Sequence, residues 1–367
     1  MTNRAPGDDT RAQDREDVPL DTFSVGQPAS AQGNPGAIAV PEQPIAPLSS
    51  SPALAMGHSE FGDVEAPAAD LIAQQAGVEP KARSQWAYAR IRFFRHRMAV
   101  VSLVVLFLIC LVAIFAKRVA PYAYDELDLF NTTSPPTTKD KHLFGTDLLG
   151  RDYLSRVIFG LRTSLWVAFF VAFLSTAIGT TIGSLAGYYG GAVDNLLMRF
   201  TDLILTLPGL AVLLTAATFF GNGDPLKIGL ILALLLWTVI ARIVRGVFLS
   251  LREKEYVEAA KASGAGDARI ILRHMLPNAL GPIIVNTTLI IAAAILIEAA
   301  LSFLGFGIQP PNPSLGTLID DGQGEGFEKW WLVTFPGLVI VVIALAINFI
   351  GDGLRDALDP TQRRVRA

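Results

Sequence analysis

The chain has one cysteine, Cys110, in 367 residues. That excludes an intrachain disulfide and any site built from several thiolates. Its four histidines, His58, His96, His142 and His274, are too scattered to form a ligand-spaced cluster, so no metal centre is expected. Charge is scarce too: 17% of residues are Asp, Glu, Lys or Arg, against about 25% in an ordinary globular protein. There is no G-x-x-x-x-G-K-[ST] loop to cradle a phosphate, since Gly190-Gly191 lacks the Lys and Ser/Thr that must follow. No Ser/His/Asp set, carboxylate pair or redox centre stands out. The expectation is a chain with no catalytic residues and no cofactor of its own, and without a nucleic-acid partner.

What is present is apolar sequence, 51% of the chain, gathered into blocks. Six of them, at about 98–116, 164–190, 203–220, 228–248, 280–305 and 332–351, match the roughly 20 helical residues that cross a hydrocarbon layer of about 30 Å. Inside lipid their backbone groups are satisfied only as helices. The fold expected is an all-α polytopic membrane protein with six transmembrane helices.

The formal charge of −3 averages two unlike parts. Residues 1–80 carry twelve Asp/Glu against three Arg, a balance of −9 that leaves +6 for the rest, and they hold ten prolines. So little apolar surface cannot offset chain entropy, and this acidic segment reads as a disordered cytoplasmic tail. A docking or regulatory role is the competing reading. No basic segment followed by an apolar stretch opens it, so no secretory signal is expected. Residues 81–97 then bring Lys81, Arg83, Arg90, Arg92, Arg95 and Arg97 together with Trp86, Tyr88, Phe93 and Phe94, the pattern of a basic amphipathic helix at a membrane surface.

Basic residues recur at 249–279 (Arg252, Lys254, Lys261, Arg269, Arg273) and after the sixth block (Arg355, Arg363, Arg364, Arg366), whereas 221–227 and 306–331 hold one lysine each. The positive-inside bias puts both termini and the 249–279 loop in the cytoplasm. The loop 117–163 has seven basic residues yet lies outside in this topology; the bias applies mainly to short loops.

Gly179, Gly183 and Gly187, four apart, line one helix face and permit close backbone approach, by an intrachain helix or across a dimer seam. Pro208 should kink the third block. Glu298, Asn286, Asn348 and Trp237 are candidates for a solute pathway, with packing between helices as the alternative for each. Glu298, near the outer boundary, either faces water or meets a neighbouring subunit.

The informative stretch is 255–278, EYVEAAKASGAGDARIILRHMLPN. One short helix runs through Glu258-Ala259-Ala260 to Gly264 and Gly266. A second starts at Asp267 as N-cap and stops at Pro277, with Ala268, Ile271, Leu272, Met275 and Leu276 as its apolar stripe. By itself this hairpin could be an amphipathic loop lying under the bilayer.

Its residues resemble the signature of membrane subunits of binding-protein-dependent ABC importers: E-A-A, three residues, G, nine residues, an apolar position, one residue, L-P. Glu258, Ala259, Ala260, Gly264, Leu276 and Pro277 fit, while the apolar position is His274. Residues 273–278 (R-H-x-L-P-N), FGTDLLGRDYLSRVIFGLRTSL at 144–165, and Leu301–Gly305 after Glu298 are similar to the dipeptide, oligopeptide and nickel permease branch. The resemblance implies a type I importer-like permease domain at 98–360 with a coupling loop at 250–279. That loop inserts a helix into a groove of an ATPase subunit. It further implies two ATP-binding subunits, a homologous permease and an extracytoplasmic solute-binding protein, in a prokaryotic inner membrane. Peptide is the expected cargo, with nickel or another small solute as alternative. An ion-driven secondary transporter would show coupled intramembrane carboxylates and inverted repeats, neither of which is found. A membrane scaffold would leave the hairpin unexplained.

Overall fold

A computed structural model describes residues 85–138, 142–221 and 223–358. The acidic segment 1–80 and the first residues of the basic segment lie outside them. Helix α1 spans Gln85–Arg95 and α2 Arg97–Ile114. Extended His96 breaks them apart, and its Nδ1 caps α2 by accepting from the Ala99 N–H at 3.1 Å. α3 runs Tyr153–Tyr189, started by the Asp152 carboxylate on the Ser155 N–H (2.8 Å) and stopped by Gly190 at φ 66°. α4 is Gly191–Thr206 and α5 Gly209–Ala216, the latter continued by a π turn at Ala217–Gly221. α6 is Pro225–Arg252 and α7 Glu255–Ala262. α8 extends Asp267–Phe303, α9 is Leu315–Gln323 and α10 Trp331–Leu358.

Five of these helices (α2, α3, α6, α8 and α10) are long and apolar enough to cross a membrane, and the bent pair α4–α5 makes a sixth span if counted as one. The protein is an all-α polytopic membrane protein. Among the described residues the only β feature is an isolated bridge between Thr146 and Asp152.

The third apolar block is where the chain departs most from a straight rod. Pro208 lies between α4 and α5, which meet at 81°. A proline ring crowds the residue before it out of helical backbone, and Leu207 is extended here (φ −72°, ψ 137°), so α4 ends before Pro208.

The centre of the bundle is the α3–α6 seam, and the glycine stripe makes it. A Cβ on Gly179 would stand 2.6 Å from the Trp237 carbonyl oxygen, and one on Gly187 2.8 Å from that of Arg245. At Gly183 it would stand 2.9 Å from Val244 Cβ. Any side chain there forces the two backbones apart. The stripe therefore serves packing within the chain. α8 and α10 close the bundle around a core that includes Leu232, Ile240, Phe248, Ile295 and Leu301. α2 stays at the periphery, with Val101, Val104, Phe107 and Leu108 exposed, while α1 seats Ala89 and Phe93 in a second small cluster with Ala99, Ile350 and Ala357.

Two expectations about the hairpin need correction. Its second helix does not stop at Pro277; it runs on into α8 as one rod of 37 residues. The N-cap is Gly266, and Asp267 is the first helical residue. The passage through Pro277 rests on a π segment, Ile270–Met275. It widens the backbone just ahead of Pro277, which sits in the first turn of the following α segment, Leu276–Phe303. A wider turn accommodates the missing proline donor without ending the helix.

Candidate functional site

The hairpin between α6 and α8 is built by a helix stop. The Ala265 N–H reaches back to the Ala260 carbonyl (3.1 Å) and the Gly264 N–H to that of Lys261 (2.9 Å). This is the Schellman pattern, whose C′ residue must be left-handed. Gly264 supplies it at φ +77°, and nothing lies within 4 Å of where its Cβ would be. The position demands glycine for its backbone conformation, with open space around it.

Four buried side chains mount the hairpin on the bundle: Val257, Ile270, Ile271 and Met275. Ile270 and Met275 are five apart, the spacing of the π segment, which is why a stripe counted at 3.6 residues per turn misses Ile270. Ile271 and Met275 of the expected stripe are buried, Leu276 is half-buried, and Ala268 and Leu272 are exposed. Polar contacts tie the hairpin to the end of α3. The Tyr188 hydroxyl donates to Asp267 Oδ1 at 2.7 Å, Lys261 Nζ lies 5.5 Å from the Tyr188 ring centroid, and Arg252 Nη1 donates to the Tyr188 carbonyl at 3.2 Å. Burial pushes the Tyr256 phenol on α7 above its ordinary range.

Glu258 and Ala259 on α7 are exposed, as are Arg269, Leu272 and Arg273 on α8, and Ala260 is half-buried. His274 is half-buried in the π segment, where its carbonyl accepts from Asn278 Nδ2 (2.6 Å), and Pro277 is exposed. The signature residues thus share one end of the bundle. Leu272 and Leu276 also wall a cleft of about 610 Å³ between α3 and α8, whose opposite side includes Phe173, Thr176 and Thr180. A shift of the hairpin must reshape that cleft, because the same helix forms both.

The four pathway candidates do not converge. Trp237 is buried in the α3–α6 seam, with its ring stacked on Phe200 at 6.2 Å. Asn286 donates to the Pro282 carbonyl at 2.8 Å, and Asn348 is exposed on α10. Glu298 neither faces water nor waits for a neighbour. It is completely buried and accepts from Ser164 Oγ (2.9 Å) on α3 and Ser302 Oγ (2.8 Å) on α8. Those hydroxyls in turn receive the Leu315 and Ile308 N–H groups, both at 3.2 Å. Glu298 therefore fastens the α9 segment to two spans.

The stretch FGTDLLGRD at 144–152 forms a clasp at the same end of the bundle as Glu298. Asp147 accepts from the Leu149 and Arg151 N–H groups (both 2.9 Å), Arg151 Nε (2.7 Å) and Arg156 Nη1 (2.6 Å). Asp152, besides capping α3, pairs with His142 Nδ1 at 2.9 Å. Phe144 stacks on Phe335 with centroids 3.9 Å apart, and the Tyr153 hydroxyl donates to the carbonyls of Leu318 and Leu332.

Sequence reading missed the acids of α4. Asp194 holds Arg245 through both carboxylate oxygens (2.5 and 2.6 Å), and Asp202 meets Arg242 at 2.6 Å. These pairs strap the bent α4 to α6. No local spacing announces a pair separated by 40 or 51 residues.

Comparison with known proteins gives two family matches. Residues 179–364 match the binding-protein-dependent transport system inner membrane component, and residues 84–136 match the N-terminal TM domain of oligopeptide transport permease C. The chain is 44% identical over 286 residues to the oligopeptide transport system permease protein OppC of Escherichia coli K12, covering 78% of this chain and 94% of the relative. It is 41% identical to the dipeptide transport system permease protein DppC of Alkalihalophilus pseudofirmus, covering 76% and 91%. A solved structure of the MetNI methionine ABC transporter in an inward-facing conformation matches with a TM-score of 0.46 and 19% identity, over 56% of this chain and 97% of that one.

Proposed function

This chain belongs to the family of binding-protein-dependent transport system inner membrane components, and from that premise we propose that it is one permease subunit of an ATP-driven peptide importer. It shares the pathway with a homologous permease, receives cargo from an extracytoplasmic solute-binding protein, and is driven by two ATP-binding subunits that carry out the hydrolysis. Relatives named for oligopeptide and dipeptide transport support peptide as the cargo. The cluster of Arg252, Lys254, Lys261, Arg269 and Arg273 supports a cytoplasmic position for the hairpin, and with it both termini.

The observation that carries the reading is the continuity of α8. Its first turns are the second arm of the hairpin, and its last hold Glu298 and Ser302. At 1.5 Å per residue that rod is about 55 Å long. A push on Glu258, Ala259, Ala260, Gly264 or Pro277 by a closing ATPase pair is then passed along one rigid element to the far side of the membrane, the kind of rigid-body shift by which transporters change states.

The test is reconstitution with all partner subunits and labelled di- and oligopeptides. Uptake should require ATP. Gly264→Trp should abolish it while inserting at wild-type levels. Wild-type uptake by that variant, or uptake by this chain without the ATP-binding subunits, rejects the reading.

A further inference from the structure

One basic surface has no part in the proposed transport cycle. Arg90 and Arg95 on α1 and Arg97 at the start of α2 are exposed, and Arg92 is half-buried. No acidic residue occurs between Glu79 and Asp125. α10 brings Asp352, Arg355 and Asp356 to this end of the bundle, all exposed. Among the described residues neither acid forms an ion pair with these arginines.

α1 has two differently employed sides. Ala89 and Phe93 are spent on the bundle, with Phe93 seated against Gly353, where a Cβ would stand 3.4 Å from its ring. Ile91, Phe94 and Met98 are left outward, 44%, 59% and 51% exposed. Exposed apolar side chains interleaved with guanidinium groups that form no ion pair among the described residues suit an amphipathic occupant. The identity of that occupant follows from continuity. Past Met98 the exposed surface runs into Val101, Val104, Phe107 and Leu108 of α2, a span whose outward face meets acyl chains.

We propose that Arg90, Arg95 and Arg97, with Ile91, Phe94 and Met98 beside them, bind an anionic phospholipid of the adjoining leaflet. The guanidinium groups hold its headgroup phosphate, and the apolar residues hold the upper part of its chains. Guanidinium forks suit phosphate oxygens, and a basic residue near an anionic surface is worth about a five-fold gain in binding. The site is independent of which solute is carried, so failure of the peptide reading leaves it standing.

The experiment is competitive lipid retention by the full purified chain. Delipidated protein is offered equal phosphatidylglycerol and phosphatidylcholine, and bound lipid is read by native mass spectrometry. Wild type should retain phosphatidylglycerol preferentially, and the combined change R90Q, R95Q and R97Q should lose at least ten-fold of that preference. The charge-keeping set R90K, R95K and R97K should retain most of it, which separates loss of charge from loss of fold. Phe94→Ser with Met98→Ser should weaken retention of both lipids. Equal retention by wild type, or an undiminished preference in the glutamine set, overturns the proposal. So does competition by soluble glycerol phosphate, which points to a free anion, or crosslinking of Arg90→Cys to an ATP-binding subunit, which points to a protein.

Discussion

The two ends of the bundle are held together in different ways. At the end formed by residues 142–156 and 304–332, buried charges and hydroxyls are saturated with partners: Asp147 serves four donors, and Glu298 and its serines tie α3, α8 and α9 into one block. At the hairpin end the chain turns on an exposed glycine. It is fixed by four buried apolar residues and a few contacts to Tyr188. The first end resists change and the second presents a surface. A continuous helix, α8, joins them. The difference suggests a division of labour, in which damage at the clasp costs stability and damage at the hairpin costs coupling.

Five substitutions sharpen or break that contrast. The largest effect is expected from Asp147→Ala, which leaves the buried Arg156 guanidinium with only the longer contact to Asp321. Removing one partner of a buried pair costs about 3–5 kcal/mol, so melting in detergent should fall sharply and little protein should reach the membrane. Glu298→Gln is next. One of its two serine contacts must reverse direction, a loss of about 1–3 kcal/mol, visible as a lower melting temperature with ATP-dependent uptake still detectable. Gly264→Val places a β-branched residue in left-handed backbone at a local cost of about 1–2 kcal/mol. Bundle melting should hold while uptake drops at least ten-fold. Gly264→Asn, which tolerates that conformation, should transport nearly normally. Tyr188→Phe deletes the hydroxyl bond to Asp267, worth about 1 kcal/mol, and should lower uptake modestly without altering melting. If Gly264→Val destabilised the whole bundle as much as Asp147→Ala, the contrast between the ends would be lost.

The hairpin shows how far local reading reaches. Gly264 was legible as a helix stop because the demand for positive φ is a property of one residue and its neighbours. The following helix was misread at both ends. It starts at Asp267 behind the Gly266 N-cap, and its passage through Pro277 rests on the π segment, whose Ile270 and Met275 are both buried in the bundle. Glu298 drew notice as a pathway candidate because it is an acid in an apolar run, but it is completely buried and faces no water. Its fate was set by Ser164, 134 positions away, and by Ser302.

The sequence by itself determined the membrane architecture and the glycine-lined close approach. It also determined the break at Pro208 and the place of the hairpin. Apolar run length, missing side chains and proline sterics act within a few turns of helix. Only the tertiary structure decided which helix fills the glycine stripe, how Asp194 and Asp202 strap α4 to α6, and that the hairpin and the Glu298 block lie on one rod. Ion pairs and buried hydrogen bonds join atoms by distance in space, and separation along the chain carries no trace of that distance.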